Sequence, residues 1–302
     1  MTNPLKFLPM ILAQSGKQEL KRIPEPDKVT EDEDDVLQYD QVMQTALAVA
    51  YAVGLTVIHR ARPQAASNST QALDLCSGPG LYTLCLQTYL KYGSITGIDL
   101  SAEMVKIAKE NAGNKSLEAK FEEGDVLNLA KFGSDSFDLT SFTDAAHHMD
   151  DLAKVGNILS EMDRITKPDG LVMVMDLARL RTRALTEKYV GIIGANYLEM
   201  GLPHFFKQFR DSMFAAWTYP ELETAIPKNS RRVWCHLVAK ELPTIQIVLG
   251  LPVGRQQAFL RKGYPWLPQD CPVPKRYRLD WFFARTTLFS AKPKYIAAAE
   301  AA

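Results

Sequence analysis

LDLCSGPG, at residues 73–80, is the most informative segment of the sequence, because it joins an apolar strand to a helix through a glycine-containing loop. Glycines at 78 and 80 let the backbone approach a ligand closely, and the first amides of a helix favour negative groups. Asp99 ends the next predicted strand, where a carboxylate can accept both ribose hydroxyls of a nucleotide cofactor. The sequence therefore predicts a nucleotide-type cofactor site.

The charge of this loop distinguishes between two cofactor classes. A nicotinamide site typically has GxGxxG after an apolar strand end, but Thr83 occupies the position of the third glycine. Asp74, at the strand end, would repel a diphosphate, whereas it suits a cofactor with a cationic amino group. S-adenosyl-L-methionine carries an ammonium and a sulfonium and no phosphate. The charge pattern therefore favours S-adenosyl-L-methionine as the cofactor.

Short apolar strands alternate with longer helical patterns along the chain, which indicates right-handed crossovers and a mainly parallel sheet. The predicted strands are Ala72–Cys76, Ser94–Ile98, Ala119–Glu122, Phe137–Ser141 and Leu171–Asp176. A tight turn is expected at Pro168–Gly170, directly before the fifth strand. Two further strands, Val233–Val238 and Thr244–Leu249, fit an antiparallel hairpin at the sheet edge. The prediction is a seven-stranded α/β sheet with an antiparallel last strand.

The pattern divides the chain into four parts. They are a loose N-terminal arm (1–30), N-terminal lid helices (31–66), a cofactor-binding core (67–251) with a helical insertion (179–217), and a C-terminal extension (252–302). The arm is expected to be loose because it is terminal and contains four prolines. The insertion is rich in aromatic residues and is interrupted at Gly201 and Pro203. Its aromatic face and the apolar stretch Val36–Ile58 are expected to roof an acceptor site as a helical lid.

Composition excludes several broad classes. The 302 residues carry 35 basic and 35 acidic side chains, so nothing in the net charge favours nucleic acid or a membrane surface. The apolar, uncharged stretch Thr45–Ile58 is shorter than the roughly 20 residues of a membrane span. The four cysteines lack CxxC spacing, so neither a disulfide framework nor a metal site is expected. A cytoplasmic location is the expectation.

At this point the chain resembles the class I S-adenosylmethionine-dependent methyltransferases, particularly the small-molecule group that includes ubiquinone/menaquinone C-methyltransferases. The first motif of that family is an acidic residue followed by GxGxG. Asp74, Gly78 and Gly80 match this motif, and Cys76 replaces its first glycine. The resemblance covers roughly residues 72–177 and implies a Rossmann-like fold.

Further motifs follow in the same order as in that family. GIDLS at 97–101, followed by Met104, resembles the ribose-binding aspartate and the methionine that packs on adenine. EGDV at 123–126 resembles the segment whose aspartate binds the adenine amino group. The resemblance implies a cofactor site formed by Tyr39, Asp74, Cys76, Gly78, Gly80, Asp99, Leu100, Met104, Asp125, Val126 and Thr143. Taken singly, Met104 and Tyr39 would also suit core packing.

Two adjacent histidines, His147 and His148, follow the fourth predicted strand and face the expected methyl-transfer site. Histidine titrates near neutrality, so one of them could position the acceptor or act as a general base while the other is structural. The sequence does not distinguish between them.

These residues predict methyl transfer to a small, partly apolar or aromatic acceptor, with O-, C- and N-methylation all open. Thr143–Ala146 replaces the (Asn/Asp)-Pro-Pro-Tyr signature, which argues against methylation of an exocyclic base amine. Two alternatives remain at this stage: a thiol or arsenic methyltransferase using Cys85, Cys235 or Cys271, and a non-catalytic cofactor-binding scaffold. The modest basic cluster in 252–302 is explained equally well by RNA, by the surface or by a homodimer contact.

Overall fold

The computed structural model describes residues 7–26, 33–45, 47–61, 67, 69–238, 244–254, 273–278 and 294–296. Its strands are β1 (Gln71–Leu75), β2 (Ser94–Asp99), β3 (Lys120–Glu123), β4 (Phe137–Thr143), β5 (Thr166–Leu177), β6 (Arg232–Val238), β7 (Ile245–Pro252) and β8 (Lys294–Ile296). Its helices are α1 (Leu8–Ala13), α2 (Glu33–Met43), α3 (Ala48–Ala61), α4 (Leu81–Leu90), α5 (Ala102–Asn114), α6 (Leu152–Ile165), α7 (Arg183–Glu199), α8 (Pro203–Ala215) and α9 (Tyr219–Thr224).

One sheet in the order β3-β2-β1-β4-β5-β7-β6-β8 forms the centre of the protein. Strands β1 to β5 are parallel, and β7 runs antiparallel to both β5 and β6. The predicted seven-stranded Rossmann-like sheet and its closing hairpin are confirmed, and β8 adds an eighth, antiparallel strand beside β6. The order reverses between β1 and β4, which is where parallel α/β sheets bind ligands at their carboxyl edge.

Burial on both faces explains why the inner strands are continuously apolar or uncharged rather than alternating. All seven residues of β4 are buried. Helices α3 and α4 pack on one face and α6 and α9 on the other, so that each face has its own apolar core. These two cores fix the sheet and present the loops at its carboxyl edge.

The turn expected at Pro168–Gly170 lies inside a strand as an irregularity. β5 begins at Thr166, which pairs with Phe137, while Leu171 pairs with Leu139, so the segment between them bulges out of register. The buried Arg232 stabilises this bulge because its guanidinium donates to the carbonyl oxygens of Gly170, Thr166 and Lys167. Arg232, which is distant in sequence, therefore supplies hydrogen-bond donors to the backbone carbonyl oxygens of the bulge.

The N-terminal arm differs from the expectation of a loose segment, because residues 7–26 pack on the core. Met10 is fully buried in an apolar cluster with Leu180, Leu185 and Met213. The backbone amides of Glu19 and Leu20 donate to the Arg181 carbonyl at 3.0 and 2.8 Å. Prolines and scattered charges in the arm gave no signal of these contacts, because the partners lie more than 150 residues further along the chain.

The segments expected to form a lid are two helix pairs, but α3 packs on the sheet as part of its core, so within 36–58 only α2 can cover a site at the sheet edge. The stretch 36–58 is divided into α2 and α3, and the predicted interruption of the aromatic insertion is found between α7 and α8, where Gly201 has φ +75°. The lid pairs meet through Tyr39 and Phe205, whose ring centroids lie 5.5 Å apart. Within the described residues, no single helix has the length and apolarity of a membrane span; α2 and α3 reach these only together, across a 59° bend.

Arg22 connects the N-terminal arm to residues at the carboxyl edge of the sheet. Its guanidinium donates to the carbonyls of Ala215 (2.6 Å), His147 (2.8 Å) and Met149 (2.7 Å), and it stacks 3.9 Å from the Trp217 ring centroid. The arm is thus joined to the β4 loop and to the end of α8.

Replacing Arg22 by alanine is expected to lower the free energy of unfolding by about 2 kcal/mol, because hydrogen bonds from a charged donor and a cation–π contact are lost. Denaturant unfolding measures this change. Lys21→Ala, at an exposed neighbouring position, is the matched control and should leave the unfolding midpoint within error. Equal stability of the two variants would contradict the docking of the arm.

Candidate active site

A cavity of about 920 Å³ lies between the carboxyl ends of β1 to β5 and the lid. Its floor comes from the loops that follow these strands, and its walls come from the arm, α2 and α8. Most of the predicted site residues line it: Tyr39, Cys76, Gly78, Asp99, Leu100, Met104, Asp125, Val126, His147 and His148. Strand ends that are far apart in sequence therefore meet at one site.

Three of the predicted residues, Asp74, Gly80 and Thr143, do not line this cavity. The fully buried Asp74 accepts hydrogen bonds from the hydroxyls of Thr83 (2.6 Å) and Ser141 (2.7 Å). Burial raises the pKa of Asp74 to about 6, although these two hydrogen bonds act in the opposite direction. Its carboxylate joins β1, α4 and β4 and does not face a ligand.

The loop after β1 has the tight backbone that the glycines predicted. Cys76 and Gly78 both have φ +52°, and Gly80 has φ +81°. At Gly80 a Cβ atom would lie 2.6 Å from the Phe121 ring, so this position requires glycine for packing as well as for conformation. Cys76 occupies the left-handed region, which is strained for a residue with a side chain. Burial raises the pKa of its thiol, which makes it an inert filler.

Asp99 fixes this loop and faces the cavity. Its Oδ2 accepts from the Gly78 amide at 2.8 Å and its Oδ1 from the Ser101 amide at 3.0 Å. Burial raises the pKa of Asp99. Each carboxylate oxygen can accept a second hydrogen bond, so the ribose hydroxyls of a cofactor can still be bound. Ser101 also caps α5 by accepting from the Met104 amide.

The adjacent loops bring the other residues of the predicted adenosine site to the same cavity. Asp125 follows β3 and lines the cavity, and its Oδ1 accepts from the Leu127 amide at 2.8 Å. Leu100 is half exposed and Met104 lies at the cavity wall. The cavity thus presents Asp125 as an acceptor for the adenine amino group and Asp99 as a carboxylate for the ribose. The apolar side chains of Leu100 and Met104 lie beside them. The residues fit S-adenosyl-L-methionine.

His147 and His148 lie in a short turn, Ala146–His148, after β4. His147 is buried, and its Nδ1 lies 2.6 Å from Oδ1 of Asp176, while its backbone amide donates to Oδ2 of Asp176 at 2.8 Å. Because a carboxylate only accepts, the Nδ1 of His147 carries the hydrogen and Nε2 is left for other partners. Asp176 thereby fixes the orientation of the imidazole.

Glu25, from the arm, completes this network. Its carboxylate accepts from Ser212 of α8 at 2.5 Å, is hydrogen-bonded to Nδ1 of His148, and lies 3.8 Å from Nε2 of His147. Burial alone would raise the pKa of Glu25, but the His148 hydrogen bond and the charges of both histidines lower it to about 2. Burial likewise opposes protonation of His147, but Asp176, Glu25 and Asp144 together raise the pKa of His147 to about 9.

The same three side chains present metal-ligand atoms to one another. Ligand atoms of Glu25, His147 and His148 all lie within 4.8 Å of each other. In this structure they are engaged as hydrogen-bonding partners of one another, of Ser212 and of Asp176. The arrangement serves proton exchange directly, and the absence of a metal stays a prediction.

Sequence reasoning missed Glu25, Asp144 and Asp176. Asp176 and Asp144 lie at the carboxyl ends of β5 and β4, so the strand-end argument used for Asp99 could have found both. Asp144 lines the cavity, has φ +50°, and carries a buried Oδ2 with no hydrogen-bond partner among the described residues. Burial and the Asp176 charge raise the pKa of Asp144 to about 7. No local pattern marks Glu25.

Comparison with known proteins agrees with this geometry. Residues 73–174 match the family model of the methyltransferase domain. This part of the chain therefore resembles a methyltransferase domain, and S-adenosyl-L-methionine is the cofactor that this match and the residues of the cavity support. A relative is the demethylmenaquinone methyltransferase of Staphylococcus aureus (strain JH9), 30% identical over 144 residues, or 47% of this chain and 56% of the relative. The chain thus spans about half the length of the curated relatives that it matches.

Solved structures show the same fold. A structure from Methanococcus maripaludis, assigned to the S-adenosyl-L-methionine-dependent methyltransferases, is 19% identical and has a TM-score of 0.54, covering 75% of this chain and 96% of the other. The plantazolicin methyltransferase BamL is 14% identical with a TM-score of 0.52, covering 71% of this chain and 88% of the other. The resemblance inferred from the motifs is confirmed.

The two alternatives from the sequence are not favoured. Cys235 is buried in β6, and burial raises its pKa to about 12. Three strands, β4, β5 and β7, lie between β6 and β1, after which Cys76 follows. Cys85 is on α4, and Cys271 lies outside the described residues. Among the described residues, the cluster of candidate metal ligands contains no cysteine. A non-catalytic scaffold would not require a buried histidine oriented by Asp176.

Replacing Asp176 by asparagine is expected to lower the pKa of His147 below about 9, because both the charge and the hydrogen bond that favour the imidazolium are removed. NMR titration of isotope-labelled histidine measures this value. Asp35→Asn, which removes the partner of His204 instead, is the control. An unchanged His147 titration in Asp176→Asn would exclude the proposed pairing.

Proposed function

We propose that this protein transfers the methyl group of S-adenosyl-L-methionine to a small, partly apolar or aromatic acceptor that loses a proton in the reaction, with His147 as the proton acceptor. The observation that carries this proposal is a single cavity lined both by the adenosine-binding residues and by the oriented His147. Cofactor and proton acceptor therefore border the same space.

When bound, the cofactor would supply an electrophilic methyl group, which the acceptor would take up as the sulfur–methyl bond breaks and S-adenosylhomocysteine leaves. The contribution of the chain is approach geometry and exclusion of water. The Asp99 carboxylate and the loop after β1 fix the adenosine end, and helices α2 and α8 cover the cavity. His147 lies beyond β1 along the sheet edge, after β4, on the side on which the acceptor would enter beneath the lid.

The acceptor end of the cavity supports a small molecule with an apolar body and a polar reacting group. Phe205, Phe209 and Leu177 provide apolar wall, while Glu25 and the two histidines provide the polar end. The Staphylococcus aureus relative is a demethylmenaquinone methyltransferase by name. A planar hydroxylated ring of that general kind suits this wall. The acceptor atom is an oxygen, carbon or nitrogen that must lose a proton.

His147 is favoured over His148 as the proton acceptor. The Asp176 carboxylate orients the His147 ring and stabilises the imidazolium that forms when a proton is taken up. His148 is hydrogen-bonded through Nδ1 to Glu25, is more than one-third exposed, and serves to hold the arm carboxylate beside His147.

The cofactor assignment predicts micromolar binding of S-adenosyl-L-methionine and S-adenosylhomocysteine and no binding of NAD in isothermal titration. Asp99→Ala should weaken both nucleosides at least tenfold, because ribose loses its acceptor and the Gly78 amide loses its partner. Asp135→Ala removes a carboxylate paired with Arg231 away from the cavity and should bind normally. Binding of NAD, or of none of the three, would refute the proposal.

The proton-acceptor assignment predicts a loss of at least 100-fold in methyl transfer for His147→Ala, with unchanged cofactor affinity. Production of S-adenosylhomocysteine is followed with a panel of phenols, quinols, indoles and thiols as acceptors. His148→Ala is the matched control and should lose less than His147→Ala. A His147→Ala enzyme that methylates hydroxylated acceptors at the normal rate would contradict the assignment.

The direction in which kcat/KM changes with pH also tests the role of His147 as the proton acceptor. Only neutral His147 accepts a proton, so kcat/KM should rise with pH toward a plateau above the apparent pKa near 9. Glu25→Gln removes a charge that raises this pKa, and the rising limb should therefore move to lower pH. A profile that falls between pH 7 and 9, or that does not move in Glu25→Gln, is incompatible with His147 as the base.

A further inference from the structure

We propose that Asp144, and not Asp74, is the carboxylate that binds the α-ammonium group of S-adenosyl-L-methionine. The sequence alone gave this role to Asp74, because Asp74 is the acidic residue of the first motif. The Asp74 carboxylate is fully buried, accepts from the hydroxyls of Thr83 and Ser141, and does not line the cavity. Asp144 does line the cavity. The inference rests on the proposed function, since it assumes that the cofactor binds here.

The strand order gives the direction in which the cofactor extends. Asp125 follows β3, Asp99 ends β2, the loop at 76–80 follows β1, and Asp144 follows β4. These four strands are adjacent in that order, so the four positions lie in a row along one sheet edge at about 4.8 Å per strand. A cofactor with its adenine at Asp125 and its ribose at Asp99 extends across the β1 loop. Its amino-acid end therefore lies beside β4.

The Asp144 carboxylate is incomplete in its hydrogen bonding. Its Oδ2 is buried without a partner among the described residues, whereas its backbone amide is fixed by donation to the Met175 carbonyl at 2.7 Å. A buried carboxylate oxygen without a donor costs free energy. The residue also has a left-handed φ of +50°, and such strain is maintained mainly at functional sites. An ammonium group supplies the missing donor and the opposite charge.

Most of the titratable groups that interact with Asp144 are carboxylic acids or tyrosines. Asp176 faces it from β5 and raises its pKa, and His147 is the cation that acts in the opposite direction. Four tyrosines, Tyr39, Tyr51, Tyr82 and Tyr197, are close enough for the Asp144 charge to raise their pKa values. The hydroxyls of Tyr51 and Tyr82 are also buried without partners among the described residues. Of these tyrosines only Tyr39 lines the cavity, so the group that the site offers to an ammonium is the Asp144 carboxylate.

The test is isothermal titration of wild type, Asp144→Asn and Asp150→Asn with three probes. S-adenosyl-L-methionine and S-adenosylhomocysteine both carry the α-ammonium, whereas 5′-methylthioadenosine has the same nucleoside and thioether without the amino-acid end. Asp150 is a matched control because it lines the same cavity but is paired with Lys154. Thermal unfolding of each variant checks that the fold is retained.

Asp144→Asn is expected to weaken both amino-acid-bearing probes at least tenfold and to leave 5′-methylthioadenosine within twofold, while Asp150→Asn binds all three normally. Unchanged affinity of Asp144→Asn for the first two probes overturns the inference. An equal loss for all three probes also overturns it, because the effect would then be on the nucleoside site. If the wild type binds none of the probes, it is the proposed function that fails.

A pH series on the same titrations provides an independent readout. Only the ionised carboxylate attracts the ammonium, so affinity for S-adenosylhomocysteine should rise with pH up to the Asp144 pKa of about 7 and then level off. This rise should be absent in Asp144→Asn. Asp99 also titrates at the site, but it is retained in both proteins and its contribution cancels in the comparison. The same rise in wild type and Asp144→Asn would refute the role of Asp144.

Discussion

The buried carboxylate of Asp74 is the constraint on which the site depends. It accepts one hydroxyl from α4 and one from β4 while belonging to β1, so three elements meet at the point where the strand order reverses. A buried carboxylate is stable only when its oxygens are bonded, and this requirement fixes the relative positions of the three elements. The tight loop at 76–80 can then approach the cavity with its backbone. An acidic residue in this motif is thus explained by architecture.

Because strands β1 to β5 are parallel, their carboxyl ends are aligned along one edge of the sheet, on either side of Asp74. Each strand from β1 to β5 ends on the same side of the sheet, and four of these strands have an aspartate at or directly after their carboxyl end that lines the cavity or supports His147: Asp99, Asp125, Asp144 and Asp176. Their different partners give them different properties. Asp99 is bonded by backbone amides, Asp176 by a histidine, and Asp144 retains an oxygen without a partner. One sheet edge can therefore bind a cationic cofactor and also support proton transfer.

Much of the fold, and most of the residues that line the cavity, could be predicted from the sequence, because both depend on short-range patterns. Alternation of strands and helices gave the sheet, and the strand-end positions of Asp99 and Asp125 gave the nucleoside site. The bulge in β5 was missed because its stabilising partner, Arg232, is 62 residues away from Gly170. Glu25 was missed for a similar reason, since nothing near residue 25 indicates contact with His148. Asp74 was given a ligand role because the sequence does not reveal that its carboxylate is buried against Ser141 and Thr83 and does not line the cavity.

The docked N-terminal arm affects both the wall of the cavity and the pKa of His147. Glu25 is 123 positions from His148 in sequence, yet it is hydrogen-bonded to His148 and helps Asp176 to raise the pKa of His147. One segment thus contributes both to the wall at the polar end of the cavity and to the proton affinity of His147, which Asp176 raises more strongly. A molecule that displaced residues 20–26 would remove the Glu25 charge from beside His147, and the imidazole would release its proton more readily. Binding of a bulky acceptor at this wall would in this way favour the neutral form of His147.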